Sequence, residues 1–153
     1  MRSTLDAGAE PDVVEALRAA HALEREAVKR LEGLLSALED AELQHVVMRH
    51  LHETEGHEAA VSERLEELDA APRFVAGLLA PARPQRPSGT PADMLRDAHA
   101  FERRECDAYT QLASTARAAG DGATVQLADR IRADEEAMAE TIASSLRRMG
   151  QSI

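Results

Sequence analysis

The chain has 153 residues, 44% apolar and 30% charged, an ordinary globular mixture sized for one domain with one core. Its formal charge of −10 excludes a uniform nucleic-acid binder: phosphate would repel it, and no basic run with interleaved aromatics offsets that. Aromatics are only 2%, Phe74, Phe101 and Tyr109, which disfavours an all-β fold, and the lone Cys106 excludes an intrachain disulfide.

In chain order, Pro11 suits a first helical turn, where its missing N–H costs nothing. From about residue 11 to 39 the sequence places Val13/Val14, Leu17, Ala20, Leu23/Glu24, Ala27/Val28, Leu31 and Leu34/Leu35/Leu38 on one stripe of period 3.6, an amphipathic helix. Asp40 is placed to cap a second helix over about 41–69, whose stripe is Leu43, Val46/Val47, His50, Glu53/Thr54, His57, Val61, Leu65 and Leu68. The composition then changes. Residues 69 to 91 hold five of the six prolines, marking a crossover over about 70–90 in which Phe74 to Leu79 are expected to form a short turn over the core. Thr90-Pro91-Ala92-Asp93 reads as a capping box with proline at the first helical position, starting a third helix over about 91–119. Gly120 stops it, and Asp121 starts a fourth over about 122–149. Two tight hairpins joined by one long crossing is the connectivity of a ferritin-like four-helix bundle. An internal repeat agrees with it: Leu17–Arg25 and Leu95–Arg103 are identical at seven of nine positions, and each carries a histidine three residues before a glutamate. The expectation is one ferritin-like domain over 1–153.

Each predicted helix carries a carboxylate on or beside its apolar stripe: Glu24, Glu53, Glu102 with Glu105 one turn on, and Glu135. Buried carboxylates repel one another and cost several kcal/mol unless neutralised, and a pair of di- or trivalent cations removes that cost. Clustered carboxylates with one or two imidazoles suit iron or manganese and are too oxygen-rich for structural zinc. Bundle-core dinuclear sites take a Glu from two helices and Glu-x-x-His from the other two. The inward stripes here carry no Glu-x-x-His. The second helix offers Glu53 and His57 at i, i+4, and Met138 stands three residues after Glu135. Either the site uses more carboxylates and fewer imidazoles, or it is partly dismantled. The expected metal ligands are Glu24, Glu53, His57, Glu102, Glu105 and Glu135. His21, His99 and Tyr109 are placed beside them as hydrogen-bonding neighbours. Of the other histidines on the second helix, His50 points inward.

The order of these motifs resembles the YciE/YciF family of ferritin-like proteins. The second hairpin carries the likeness, with Glu102, Glu105, Tyr109, the Gly120-Asp121 turn and the acidic pair Asp134-Glu135; "HLHETEGH" (50–57) resembles a family motif with His57 in place of Gln. The resemblance implies a homodimer that binds a dinuclear iron or manganese centre and takes part in bacterial stress responses. Three functions are open to such a chain: an oxidase or peroxide-consuming activity in which the metals cycle against oxygen or peroxide, iron sequestration or a structural metal centre with little turnover, or a structural or partner-binding bundle with a degenerate, metal-free site. The first residues lack the apolar stretch of a signal peptide, and no 18-residue apolar run suits a membrane span. A cytoplasmic protein without nucleic-acid or membrane partners is expected.

Overall fold

The computed structural model describes residues 10–72 and 87–153. They form four helices, α1 (Glu10–Ala37), α2 (Ala41–Glu67), α3 (Pro91–Ala118) and α4 (Gly122–Arg148). The expected turn at residues 74–79 lies outside the described residues.

Local chemistry sets the helix ends. The Asp40 side chain accepts from the Leu43 N–H at 2.8 Å. Thr90 and Asp93 close a reciprocal capping box, with Pro91 following. Gly89 must precede that box: its φ is +95°, and a Cβ there would lie 3.0 Å from Asp93. Between α3 and α4, Gly120 takes φ +71° and Asp121 accepts from the Thr124 N–H at 3.0 Å. Arg64, near the end of α2, then ties this turn down, donating to Asp121 and to the Thr124 hydroxyl at 2.9 Å each.

The packing gives the helix directions. One apolar cluster joins Val13 and Leu17 from the start of α1 to Val61 and Leu65 from the end of α2. Tyr109 and Leu112 from the second half of α3 and Ala128 and Ile131 from the start of α4 complete it. The other joins Leu31 and Leu34 to Val47 and Leu51, Leu95, and Met138, Ile142 and Leu146. Hence α1 runs antiparallel to α2 and α3, and α4 antiparallel to α3. Helices α2 and α3 therefore run parallel on one diagonal, with the end of α2 and the start of α3 at opposite ends of the bundle. Each helix is about 40 Å long. This is a ferritin-like four-helix bundle, as the connectivity predicts. Between the two apolar clusters lies a layer that neither fills, and it is polar. Among the described residues, no helix is long and apolar enough to cross a membrane.

Candidate metal centre

Six side chains meet in this middle layer. Helix α1 supplies Glu24, α3 supplies Glu102 and Glu105, α4 supplies Glu135, and α2 supplies His50 and His57; all six are buried. They form two groups whose ligating atoms lie within 4.8 Å of one another, Glu24/His57/Glu135 and His50/Glu102/Glu135, so Glu135 is common to both. His50 Nε2 stands 3.1 Å from Glu102 Oε2 and 3.2 Å from Glu135 Oε2. His57 Nδ1 stands 2.8 Å from Glu135 Oε1 and 3.8 Å from Glu24 Oε2.

Hydrogen bonds leave this cluster unsatisfied. Glu24 Oε2, His57 Nδ1 and both oxygens of Glu105 and of Glu135 are buried without a hydrogen-bond partner. His57 Nδ1 and Glu135 Oε1 are close in distance but off the line of a hydrogen bond. Six orphaned ligand atoms in one layer is a heavy concentration of a feature that native cores keep rare. Glu24 Oε1 and Glu102 Oε2 are satisfied: the first accepts from the buried Tyr109 hydroxyl, the second from His50 Nε2 at 3.1 Å.

The electrostatics reflect the same crowding. Burial, followed by the charge of Glu135, pushes Glu105 up to about 12 and Glu24 up to about 8. Burial also pushes Glu102 up to about 7, with His50 opposing it. Glu135 is the exception. Burial would raise it, but the imidazoles of His50 and His57 hold it down to about 2. Those imidazoles are raised in turn against burial, His50 by Glu102 and Glu135 to about 11, and His57 by Glu135 and Glu24. Raised proton affinity on Glu24, Glu102 and Glu105 and on both imidazoles thus offsets a crowding of charge that bound cations would otherwise relieve.

Of the residues expected from sequence, the fold brings Glu24, His57, Glu102, Glu105 and Glu135 together. It does not bring in Glu53, whose side chain is 46% exposed and accepts from His50 Nδ1 at 3.1 Å. His50 takes the inward place. Seven residues before His57, it is two full turns away on the same face, and that spacing was the available signal. Position 53 or 54 falls midway between the two, about equally far to either side of the stripe, so the helical wheel does not choose. In the bundle, Thr54 is buried and Glu53 turns out. Tyr109 touches the cluster as expected. His21 is buried but pairs with Glu58 at 3.4 Å, and the half-buried His99 feels Arg103 and Glu140; neither is in the ligand groups. Asp134 enters from α4, its Oδ2 3.1 Å from His57 Nε2. The chain's Glu-x-x-His, Glu42 to His45, is exposed in the first turns of α2.

The donor set is therefore four carboxylates and two imidazoles, the complement of a bundle-core dinuclear site, distributed differently. Both imidazoles come from α2, and α3 supplies two glutamates. Orphaned buried oxygens, imidazole lone pairs and a shared central carboxylate fit a pair of oxygen-preferring transition-metal ions.

Comparison with known proteins agrees with this architecture. A solved structure of a protein from Xanthomonas campestris superposes with a TM-score of 0.83 at 25% identity, covering 94% of this chain and 93% of that one. The bacterioferritin of Desulfovibrio desulfuricans, solved with its diiron site in different catalytic states, gives 0.78 at 22% identity, covering 94% and 84%. A dodecameric thioferritin of Bacteroides fragilis gives 0.78 at 21%, covering 92% and 89%. No curated protein matches the sequence. Residues 13–152 match the model of a family described as a domain of unknown function, DUF892. The chain belongs to that family, the YciE/YciF group of ferritin-like proteins.

Proposed function

We propose that the protein holds a dinuclear iron or manganese centre in its middle layer and reacts there with oxygen or peroxide. Glu24, His57 and Glu135 hold one ion, and His50, Glu102 and Glu135 the other, with Glu105 completing the set. The observation that carries this reading is the sharing of Glu135 between two imidazole–carboxylate groups whose buried oxygens lack partners. Ions bound there would supply one-electron redox chemistry. The residues' own work is to bind, to orient and to exclude water. The apolar clusters above and below seal the layer, and Tyr109 holds Glu24 by one oxygen so that the other stays aimed at His57. A homodimer acting in bacterial stress follows from the family resemblance.

Anaerobic addition of Fe(II), then oxygen, tests the reading. Two ions bound per chain and repeated turnover with oxygen or peroxide support it. One slow oxidation without turnover favours sequestration, and no binding favours a metal-free bundle. Glu24→Ala and Glu102→Ala must each lower the metal content; unchanged content in either would reject the ligand set.

A further inference from the structure

The geometry points to Glu53 and Asp134 as positioning residues, each holding one imidazole of the centre from behind and each serving a different half of it. The inference rests on the dinuclear reading above and concerns residues that reading leaves outside the ligand set.

Each imidazole has one nitrogen in the dry layer and the other against a wet carboxylate. For His50, Nε2 faces Glu102 and Glu135 while Nδ1 lies 3.1 Å from Glu53 Oε2. For His57 the ring is reversed: Nδ1 faces Glu135 and Glu24 while Nε2 lies 3.1 Å from Asp134 Oδ2. A neutral imidazole that ligates a metal has one lone pair and one N–H. A carboxylate that accepts the N–H fixes which nitrogen is left to ligate, and it fixes the ring plane. The two histidines must therefore ligate through opposite nitrogens, His50 by Nε2 and His57 by Nδ1.

Burial separates the two kinds of carboxylate. Glu53 and Asp134 are 46% and 48% exposed and stand in contact with solvent. Both line one cleft of about 100 Å³ between α2 and α4, with Val46, Arg49, Met138 and Thr141. Each pair joins a buried imidazole to a half-exposed carboxylate, and what the carboxylate supplies is orientation. Because His50 belongs to one ligand group and His57 to the other, loss of each carboxylate loosens one ion and spares its neighbour. Glu55 provides the internal control. It makes the same i, i+3 contact to His52 at 3.2 Å on the same helix, but both side chains face solvent.

The test is a stepwise Co(II) titration of the full chain, followed by visible absorption, with ¹⁵N-histidine NMR of the Zn(II)-loaded protein. In the wild type, two steps are expected, with His50 bound through Nε2 and His57 through Nδ1. Glu53→Ala should weaken one step by roughly 10–100-fold and Asp134→Ala the other by a similar factor. Glu53→Gln, which keeps an acceptor, should recover part of the loss, and Glu55→Ala should titrate as wild type. Circular dichroism checks that each variant keeps its helices. If the wild type binds two ions but both alanine variants titrate unchanged, or both steps weaken equally in each variant, the inference fails and the centre stands. Ligation of both histidines through the same nitrogen overturns it as well. If the wild type binds no ion, the centre and the inference fall together.

Discussion

Glu105 is the most exposing position at which to perturb this protein, because it is stabilising only if metals bind. Its side chain is fully buried, neither oxygen has a partner, and burial beside Glu135 and Glu102 drives it up to about 12. In the metal-free protein it is a neutral acid with nothing to bond. An unsatisfied buried polar group costs about 1–3 kcal/mol, and leucine fills a similar volume without that cost. Glu105→Leu should therefore stabilise the metal-free protein by about 2 kcal/mol, which in a chain of this length raises Tm by about 4–8 °C. With metal the order should reverse. Metal held at about a hundred times its Kd adds about 2.7 kcal/mol to the wild type and much less to the variant, which lacks one donor. The assay is calorimetric melting of chelator-treated protein with and without Mn(II), with wild type and variant in parallel. A metal-free variant that melts several degrees below wild type would refute the reasoning. So would a variant whose Tm rises with Mn(II) as much as the wild type's.

Two further outcomes follow from the same layer. Tyr109→Phe should act in the opposite direction on the metal-free protein: it strips the one donor from buried Glu24 and should cost about 1–3 kcal/mol, read as a lower Tm, with two-ion binding retained. Stability of the metal-free protein should also fall with rising pH. Glu24, Glu102 and Glu105 have raised folded pKa values, about 8, about 7 and about 12, and His50 is raised to about 11. A raised group contributes fully below its unfolded pKa and loses that contribution as pH climbs to its folded value. All four thus act alike from about pH 4.5 upward for the carboxyls and from about 6.5 for His50. Glu135, depressed to about 2, acts oppositely but only below about pH 4.5. Melts at pH 6, 7.5 and 9 should show a steady decline without metal. Because ions displace the same protons, metal loading should release protons and flatten that decline; a metal-free Tm that rises from pH 6 to 9 would contradict the assignment.

Sequence alone determined the bundle and most of its buried polar layer. Helix period, the Thr90–Asp93 box, the Gly120 stop and the proline-rich crossing are local signals, and local signals survive in one dimension. The repeated Leu17–Arg25 and Leu95–Arg103 stretch likewise located Glu24 and Glu102, because an acid set among apolar neighbours at helical spacing stays on the buried face. The partner histidines of that repeat were a weaker guide. His21 and His99 share a helical face with their glutamates, yet the contacts available to them depend on the adjoining helix, where His21 meets Glu58.

Only the tertiary structure could decide between Glu53 and Thr54, or show that the inward His50 stands with Glu102 and Glu135. Two residues flanking a stripe at equal angles are equivalent on an isolated helix; packed in the bundle, Thr54 is dry and Glu53 wet. The role of Asp134 is further still from sequence. It reaches His57 from another helix, 77 residues along the chain, and no periodicity connects them. Spacing along a helix determines which face a group occupies. What that group meets there is decided by the helix packed against it.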